Sequence, residues 1–158
     1  MDEQAKKTAL RMIPYGLYVL GTKDGDRVTA STINWLTQVS FKPPLIAMGI
    51  KTDTEGFQHL KNAGDFALSI LGAGQKDMAF AFFKPTEPDG DAINGHRFET
   101  LGTGAPIFLD APAWVEGKVT DIVERGDHGV VVAEVTGAGV RRESPTLTLS
   151  ECGVFYGG

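Results

Sequence analysis

The sequence predicts a mainly β domain, an antiparallel barrel with a few short helices outside it. Three observations lead there. Apolar runs of strand length recur along the chain, such as Leu45 to Ile50 and Val130 to Val140. Turn-forming clusters separate them, including Lys23-Asp24-Gly25-Asp26 and Glu124-Arg125-Gly126-Asp127-His128-Gly129, so neighbouring runs read as hairpins. Twenty glycines among 158 residues supply frequent turns, which suits a fold of short strands better than a helical bundle.

Taken in order, Asp2 to Met12 carries Ala5, Ala9 and Leu10 near helical spacing and reads as a short helix ended by Pro14. Tyr15 to Gly21 and Arg27 to Trp35 form the arms of a first hairpin, with Val39 to Phe41 extending the second arm. Pro43-Pro44 then interrupts the ladder, because proline has no N–H to donate. Leu45 to Ile50 reads as a strand buried on both faces. Thr54 is a candidate N-cap for a helix with Phe57, Leu60 and Ala63 on one face, stopped at Gly64. Phe66 to Leu71 is the next strand, and Gln75 to Phe83 a helix broken by Pro85. Lys84 to His96 is polar, with two prolines and two glycines, and reads as a loop long enough to cover a site. Trp114 to Val123 and Val130 to Val140 make the longest hairpin, and Thr146 to Leu149 is a candidate edge strand.

The length fits one domain, residues 1–158, with one core. A net charge of −5 argues against a general nucleic-acid binder, which needs surplus Lys and Arg to neutralise phosphates. The single cysteine, Cys152, allows no internal disulfide and points to a reducing cytoplasm. No apolar run approaches membrane-spanning length, and Met1 to Arg11 lacks a signal-peptide core. The expectation is a soluble cytoplasmic protein.

Familiar catalytic motifs are missing. There is no G-x-x-x-x-G-K-[ST], no G-x-S-x-G, no H-E-x-x-H and no C-x-x-C, and the three histidines lie far apart in the chain. An enzyme built on this chain would take its reactive group from a cofactor.

Two segments carry candidate chemistry. Thr29 to Ser40 is crowded with hydroxyls and amides. Alternation puts Thr29, Ser31 and Ile33 on one face, and Ala30, Thr32 and Asn34 on the other, so both faces are polar. Either solvent or a ligand rich in hydrogen-bonding edges satisfies such groups. Gly49-Ile50-Lys51-Thr52-Asp53-Thr54 closes a strand and opens a helix. Its hydroxyls, its lysine and the free N–H groups of the helix start suit a phosphate, though from the residues alone a plain N-cap with Lys51 in solvent is the stronger reading.

The run Asn34-x-x-x-Gln38-Val39-Ser40-x-x-Pro43-Pro44-Leu45-Ile46, followed by Lys51-Thr52-Asp53-Thr54, resembles the flavin reductase-like family of FMN-binding split barrels. So do Arg97-Phe98, Gly104-Ala105-Pro106, Gly126-Asp127-His128 and the closing Phe155-Tyr156-Gly157-Gly158. The resemblance extends from about Leu10 to Gly158. It implies an antiparallel split β-barrel with short peripheral helices, and a homodimer with FMN near the interface. It further implies that Thr32, Asn34 and Trp35 line the isoalloxazine ring, with Thr37 and Ser40 as further neighbours, and that Lys51, Thr52 and Thr54 hold the phosphate. His128 falls where family members place a residue near the nicotinamide or the dimethylbenzene edge, which makes it the candidate catalytic residue; a solvated turn histidine is the alternative. Phe80, Phe82, Phe83 and Phe98 are candidates to wall the ring, and of the adjacent pair Phe82 and Phe83 only one is expected to face inward.

Three functions remain in view. The first is a flavin reductase taking hydride from NADH or NADPH onto bound FMN. The second is an FMN-holding electron carrier that meets a redox protein partner. The third is a binding module that has lost its flavin.

Overall fold

The computed structural model describes residues 1–158. In chain order the elements are α1 (Glu3–Arg11), β1 (Tyr18–Asp24), β2 (Arg27–Ile33), β3 (Leu36–Ser40), β4 (Leu45–Lys51), α2 (Glu55–Asn62) and β5 (Asp65–Ile70). There follow α3 (Lys76–Ala81), β6 (Pro88–Asp89), β7 (Ala92–Ile93), β8 (His96–Thr100), β9 (Pro106–Phe108), β10 (Ala113–Glu124) and β11 (His128–Val140). No helix is long and apolar enough to cross a membrane.

Seven strands form one antiparallel sheet in the order β2-β1-β5-β10-β11-β4-β3. The edges β2 and β3 do not pair, so the sheet is not closed by hydrogen bonds into the expected barrel. Its connectivity nonetheless makes it curl. Asn34 and Trp35 alone separate the end of β2 from the start of β3, and these two strands are opposite edges of the sheet. A chain advances at most about 3.6 Å per residue. The two edges must therefore approach each other at this point, leaving an open seam. Val39 to Phe41 does not prolong the first hairpin: Val39 lies in β3 (Leu36–Ser40), which crosses to the far side to pair with β4.

Two apolar clusters fill the two sides of this sheet. One comprises Leu20, Met48, Ile50, Phe66, Leu68 and Val131 from the strands, with Phe57 and Leu60 of α2 packed onto them. α2 starts where expected: the Thr54 hydroxyl accepts from the Phe57 N–H at 3.2 Å, a normal N-cap. Gly129, next to His128, has to be small because a Cβ there would lie 2.5 Å from the Phe57 ring. The other cluster joins Leu17, Val19 and Leu71 to Met78, Ala79 and Phe82 around α3, and to Phe108 of the second sheet.

That second sheet, in the order β6-β7-β8-β9, corrects the loop assigned to Lys84 to His96. Short hairpin strands replace it, and side chains pin it. The Thr86 hydroxyl bonds both the N–H and the carbonyl of Ala30, and Asn94 donates to the Ala81 carbonyl at 2.9 Å. The expected edge strand at Thr146 to Leu149 is reduced to two isolated bridges, Gly16 with Thr148 and Gly72 with Thr146. Glu116 is a buried carboxylate in β10 that accepts from the N–H groups of Gly102 and Thr103 and from the Thr103 hydroxyl, all at 3.0–3.1 Å. It thereby ties the approach to β9 onto the main sheet.

Candidate functional site

A cavity of about 330 Å³ lies at the seam, where β2 leaves the sheet. Four consecutive residues, Ser31 to Asn34, line it, because here the strand ends and the chain turns across. Gly49, Ile50 and Lys51 line the opposite wall from the end of β4, with Thr54 at the start of α2 and His128 at the start of β11. Register explains this meeting: His128 pairs with Lys51 in the β11–β4 ladder, so the turn histidine and the strand-end lysine are neighbours by construction.

The polar groups differ in how far the protein itself has used them. The Thr32 hydroxyl donates to the Ala79 carbonyl at 2.6 Å, and its N–H bonds the Phe82 carbonyl, which anchors the end of α3 beside the cavity. Asn34 is buried and donates to the Tyr156 carbonyl at 3.3 Å. The Thr54 hydroxyl donates to the Lys51 carbonyl at 2.8 Å while it caps α2, so it shapes the junction. The Lys51 ammonium lies 3.2 Å from Asp53 and is half exposed, and it is the only Lys or Arg in the lining. Together with the first-turn N–H groups of α2, which no earlier helical turn can satisfy, it makes this end of the cavity receptive to an anion.

The other predicted residues lie off the cavity. Thr52 bonds the Asp127 carbonyl through both its N–H (3.0 Å) and its hydroxyl (3.1 Å), tying the end of β4 to the turn before β11. Trp35 sits behind the wall: its ring centroid is 4.5 Å from that of His128 and 5.3 Å from that of Tyr156. Gly49 makes room for it, since a Cβ there would come within 2.9 Å of the indole. The Trp35 Nε1–H is buried without a partner. Thr37 is exposed on β3, and Ser40 lines a separate shallow pocket with Gln38, Val39 and Phe41.

Other lining residues carry no site role in the sequence reading. The C-terminal tail folds across the cavity, with Val154, Phe155 and Tyr156 in its wall. Arg11 holds it there, donating to the Gly157 carbonyl at 3.1 Å with its guanidinium 4.7 Å over the Phe155 ring. Their signal in the sequence is that Phe155-Tyr156-Gly157-Gly158 belongs to the pattern that resembles the flavin reductase-like family. Lys84 to His96, the segment expected to cover the site, contributes nothing to the lining. Phe82 and Phe83 both contribute, because α3 has ended at Ala81 and its periodicity no longer separates them.

Around His128 the charges are ordered. Its Nδ1 lies 2.8 Å from Asp127 Oδ1, and its Nε2 lies 2.8 Å from the Tyr156 hydroxyl. The hydrogen bond from His128 holds the Asp127 carboxyl below the usual carboxylate range. Burial pushes the Tyr156 phenol above its ordinary value, so it remains a protonated donor at neutral pH. The arrangement combines one cationic end, a polar strand end and four aromatic side chains, Phe82, Phe83, Phe155 and Tyr156. That is a chemistry for a flat, anionic, hydrogen-bonding ligand.

Known proteins share this architecture. The chain is 32% identical over 136 residues to the reductase subunit of stachydrine N-demethylase from Rhizobium meliloti (strain 1021), covering 85% of this chain and 58% of that protein. It is 28% identical over 130 residues to an NADH:FMN oxidoreductase of Rhodococcus erythropolis, covering 82% of this chain and 67% of the relative. The solved NADH:FAD oxidoreductase of Streptomyces globisporus C-1027 superposes with a TM-score of 0.76 at 29% identity, over 89% of this chain and 84% of that one. The chain spans about half the length of the two Rhizobium meliloti relatives it matches, 43% and 58%. Residues 10–156 match the family described as the flavin reductase like domain, from the end of α1 through the tail that covers the cavity; the chain belongs to the flavin reductase-like family.

Proposed function

We propose that this protein is an NAD(P)H-dependent flavin reductase that holds FMN between the ends of β2 and β4. The observation that supports it most is the convergence of Ser31 to Asn34 with Lys51 and the start of α2 on one cavity. The residues fit the group. A volume of about 330 Å³ lies within the range of small-molecule sites, roughly 300–1,000 Å³. Its single cationic end suits one phosphate, which favours FMN over a larger dinucleotide flavin.

A bound flavin would supply the hydride acceptor, N5 of its ring, so no protein nucleophile is required. The chain's own residues bind and orient. Lys51 and the first turn of α2 hold the phosphate. Asn34 and the Ser31 hydroxyl would meet the polar edges of the ring as donors and the Thr32 hydroxyl as an acceptor, since its hydrogen is on the Ala79 carbonyl; the second N–H of the Asn34 amide would stabilise negative charge there. Phe83, which is exposed, would present apolar surface to its face, with Phe82 packed in the core behind it. Phe155 and Tyr156 of the tail exclude water from above.

Recording the visible spectrum of the purified protein with added FMN, then adding NADH or NADPH without oxygen, tests this. The expected result is a bound flavin spectrum that bleaches on the timescale of turnover. A bound flavin that neither nucleotide reduces, but that a small iron–sulfur protein does, would assign the chain to electron carriage. Failure to take up FMN would refute the site itself.

A homodimer belongs to the same proposal. Val39 and Phe41 stand 52% and 86% exposed at edge strand β3, an apolar edge that an isolated monomer would leave in water. Light scattering is expected to give twice the 16.9 kDa chain mass; a monomer at micromolar concentration would refute it.

A further inference from the structure

His128 was the residue that the sequence singled out for catalysis, yet neither of its ring nitrogens is free. A carboxylate only accepts, so the contact with Asp127 places the proton of the neutral ring on Nδ1. Nε2 is then an acceptor, and it is filled by the O–H of Tyr156 at 2.8 Å. The Trp35 ring packs against the imidazole, tilted by 51° with centroids 4.5 Å apart. An imidazole has no further polar atom to offer. The hydrogen-bonded line therefore runs from the Asp127 carboxylate through His128 to the Tyr156 phenolic oxygen; of the two members that line the cavity, His128 and Tyr156, only the phenolic oxygen keeps an unused lone pair.

Tyr156 is placed to use it. Its backbone is fixed by Asn34 on its own carbonyl and by Arg11 on that of Gly157. Its ring lines the cavity and is 46% exposed, so a ligand entering beneath the tail meets it. A phenol that has donated its proton into a polarised line is a better acceptor than a free one.

We propose that Tyr156, rather than His128, touches the nicotinamide dinucleotide: its phenolic oxygen accepts from the carboxamide N–H of the nicotinamide, and His128 is a positioning residue behind it. This rests on the flavin reductase reading above. The tail is thus a wall of the dinucleotide site. His128 acts by fixing the direction of the phenol O–H, which leaves the remaining lone pair toward the cavity.

The test uses the full chain saturated with FMN and compares Tyr156→Phe, His128→Ala and the double variant. Tyr156→Phe keeps the ring and its packing on Trp35 and removes the acceptor. It is expected to raise the KM for the preferred dinucleotide about fivefold, the effect of one hydrogen bond, with kcat within about twofold. His128→Ala is expected to act in the same direction and to a similar extent. The double variant should be no worse than either single one, because the two residues form one line. Calorimetric binding of the oxidised dinucleotide should weaken by the same factor, while the FMN dissociation constant stays within about twofold. An unchanged KM and unchanged dinucleotide binding in Tyr156→Phe, with both impaired in His128→Ala, would overturn the proposal: the ligand would then meet the imidazole directly. Tighter dinucleotide binding in Tyr156→Phe would also overturn it, by making the tail a plug. A wild-type protein that oxidises neither NADH nor NADPH would refute the underlying activity, and that outcome appears before any substitution is made.

Discussion

Truncating Phe57 to Ala is expected to destabilise the protein by about 3–5 kcal/mol, the usual effect of removing a fully buried aromatic side chain from a packed core. Phe57 is 1% exposed and belongs to the cluster between α2 and the curled sheet. The loss should exceed the transfer of the ring atoms alone, because the cavity left behind cannot close easily. On one side the glycine at 129 presents no side chain to move in, and on the other Phe66, Leu68 and Val131 are held by ladder hydrogen bonds on both flanks. For a domain of this size each kcal/mol lowers Tm by roughly 2–4 °C, so a fall of about 10 °C is expected by calorimetry. The variant should also weaken flavin binding, since the same ring seats α2 and thereby fixes Thr54 and Lys51 at the cavity. A change in Tm below about 3 °C would mean that α2 is not packed as described.

The parts of the fold that could be read from the chain were those with strong local signals. Leu45 to Ile50 and the two long arms after Trp114 have the length and apolar content of paired strands, and they became β4, β10 and β11 within a few residues. Thr54 followed by Phe57 and Leu60 has the capping and spacing of an amphipathic helix, and α2 begins there. Other elements carry no such signal. β6 and β7 are two residues each, too short for any period, and exist because Thr86 and Asn94 pin the segment to β2 and α3. β3 differs from its sequence reading because nothing local marks Asn34-Trp35 as a crossing from one edge of the sheet to the other. That crossing is a property of the whole sheet order.

The site was legible to the same degree and for the same reason. Thr32, Asn34, Lys51, Thr54 and His128 share the cavity, and each lies at the end of a strand or the start of a helix that the pattern located. The family resemblance groups Trp35, Thr37, Ser40 and Thr52 with them. In space a single residue's rotation along the chain turned each toward other partners. Thr52 serves Asp127, and Trp35 backs His128 and Tyr156. The tail was the converse case. Its residues are more than a hundred positions from Asn34, and only the folded chain brings Tyr156 onto His128.

Reversing the charge at Lys51 is expected to have the largest effect on the site with little on the fold. As the only Lys or Arg in the lining, Lys51 supplies the cavity's one full positive charge, in a chain whose net charge is −5. A charge-assisted hydrogen bond to phosphate contributes about 1.5–3 kcal/mol, and half exposure of the side chain places this one toward the lower end. Repulsion from a carboxylate at the same place adds to the loss, so Lys51→Glu should weaken FMN by about 2 kcal/mol, roughly 30-fold. Its ion pair with Asp53 is exposed, and losing it should leave Tm almost unchanged. Riboflavin separates the possibilities, because it has the ring of FMN without the phosphate. If Lys51 and the start of α2 hold the phosphate, the substitution leaves riboflavin affinity within about twofold while FMN loses its advantage over it. Added salt should then weaken FMN binding to the wild type and have a smaller effect on the variant. Equal losses for the two flavins would remove the phosphate from this end of the cavity. The ring would then have to lie along β4, and the polar end of β2 would be the only remaining candidate for the phosphate.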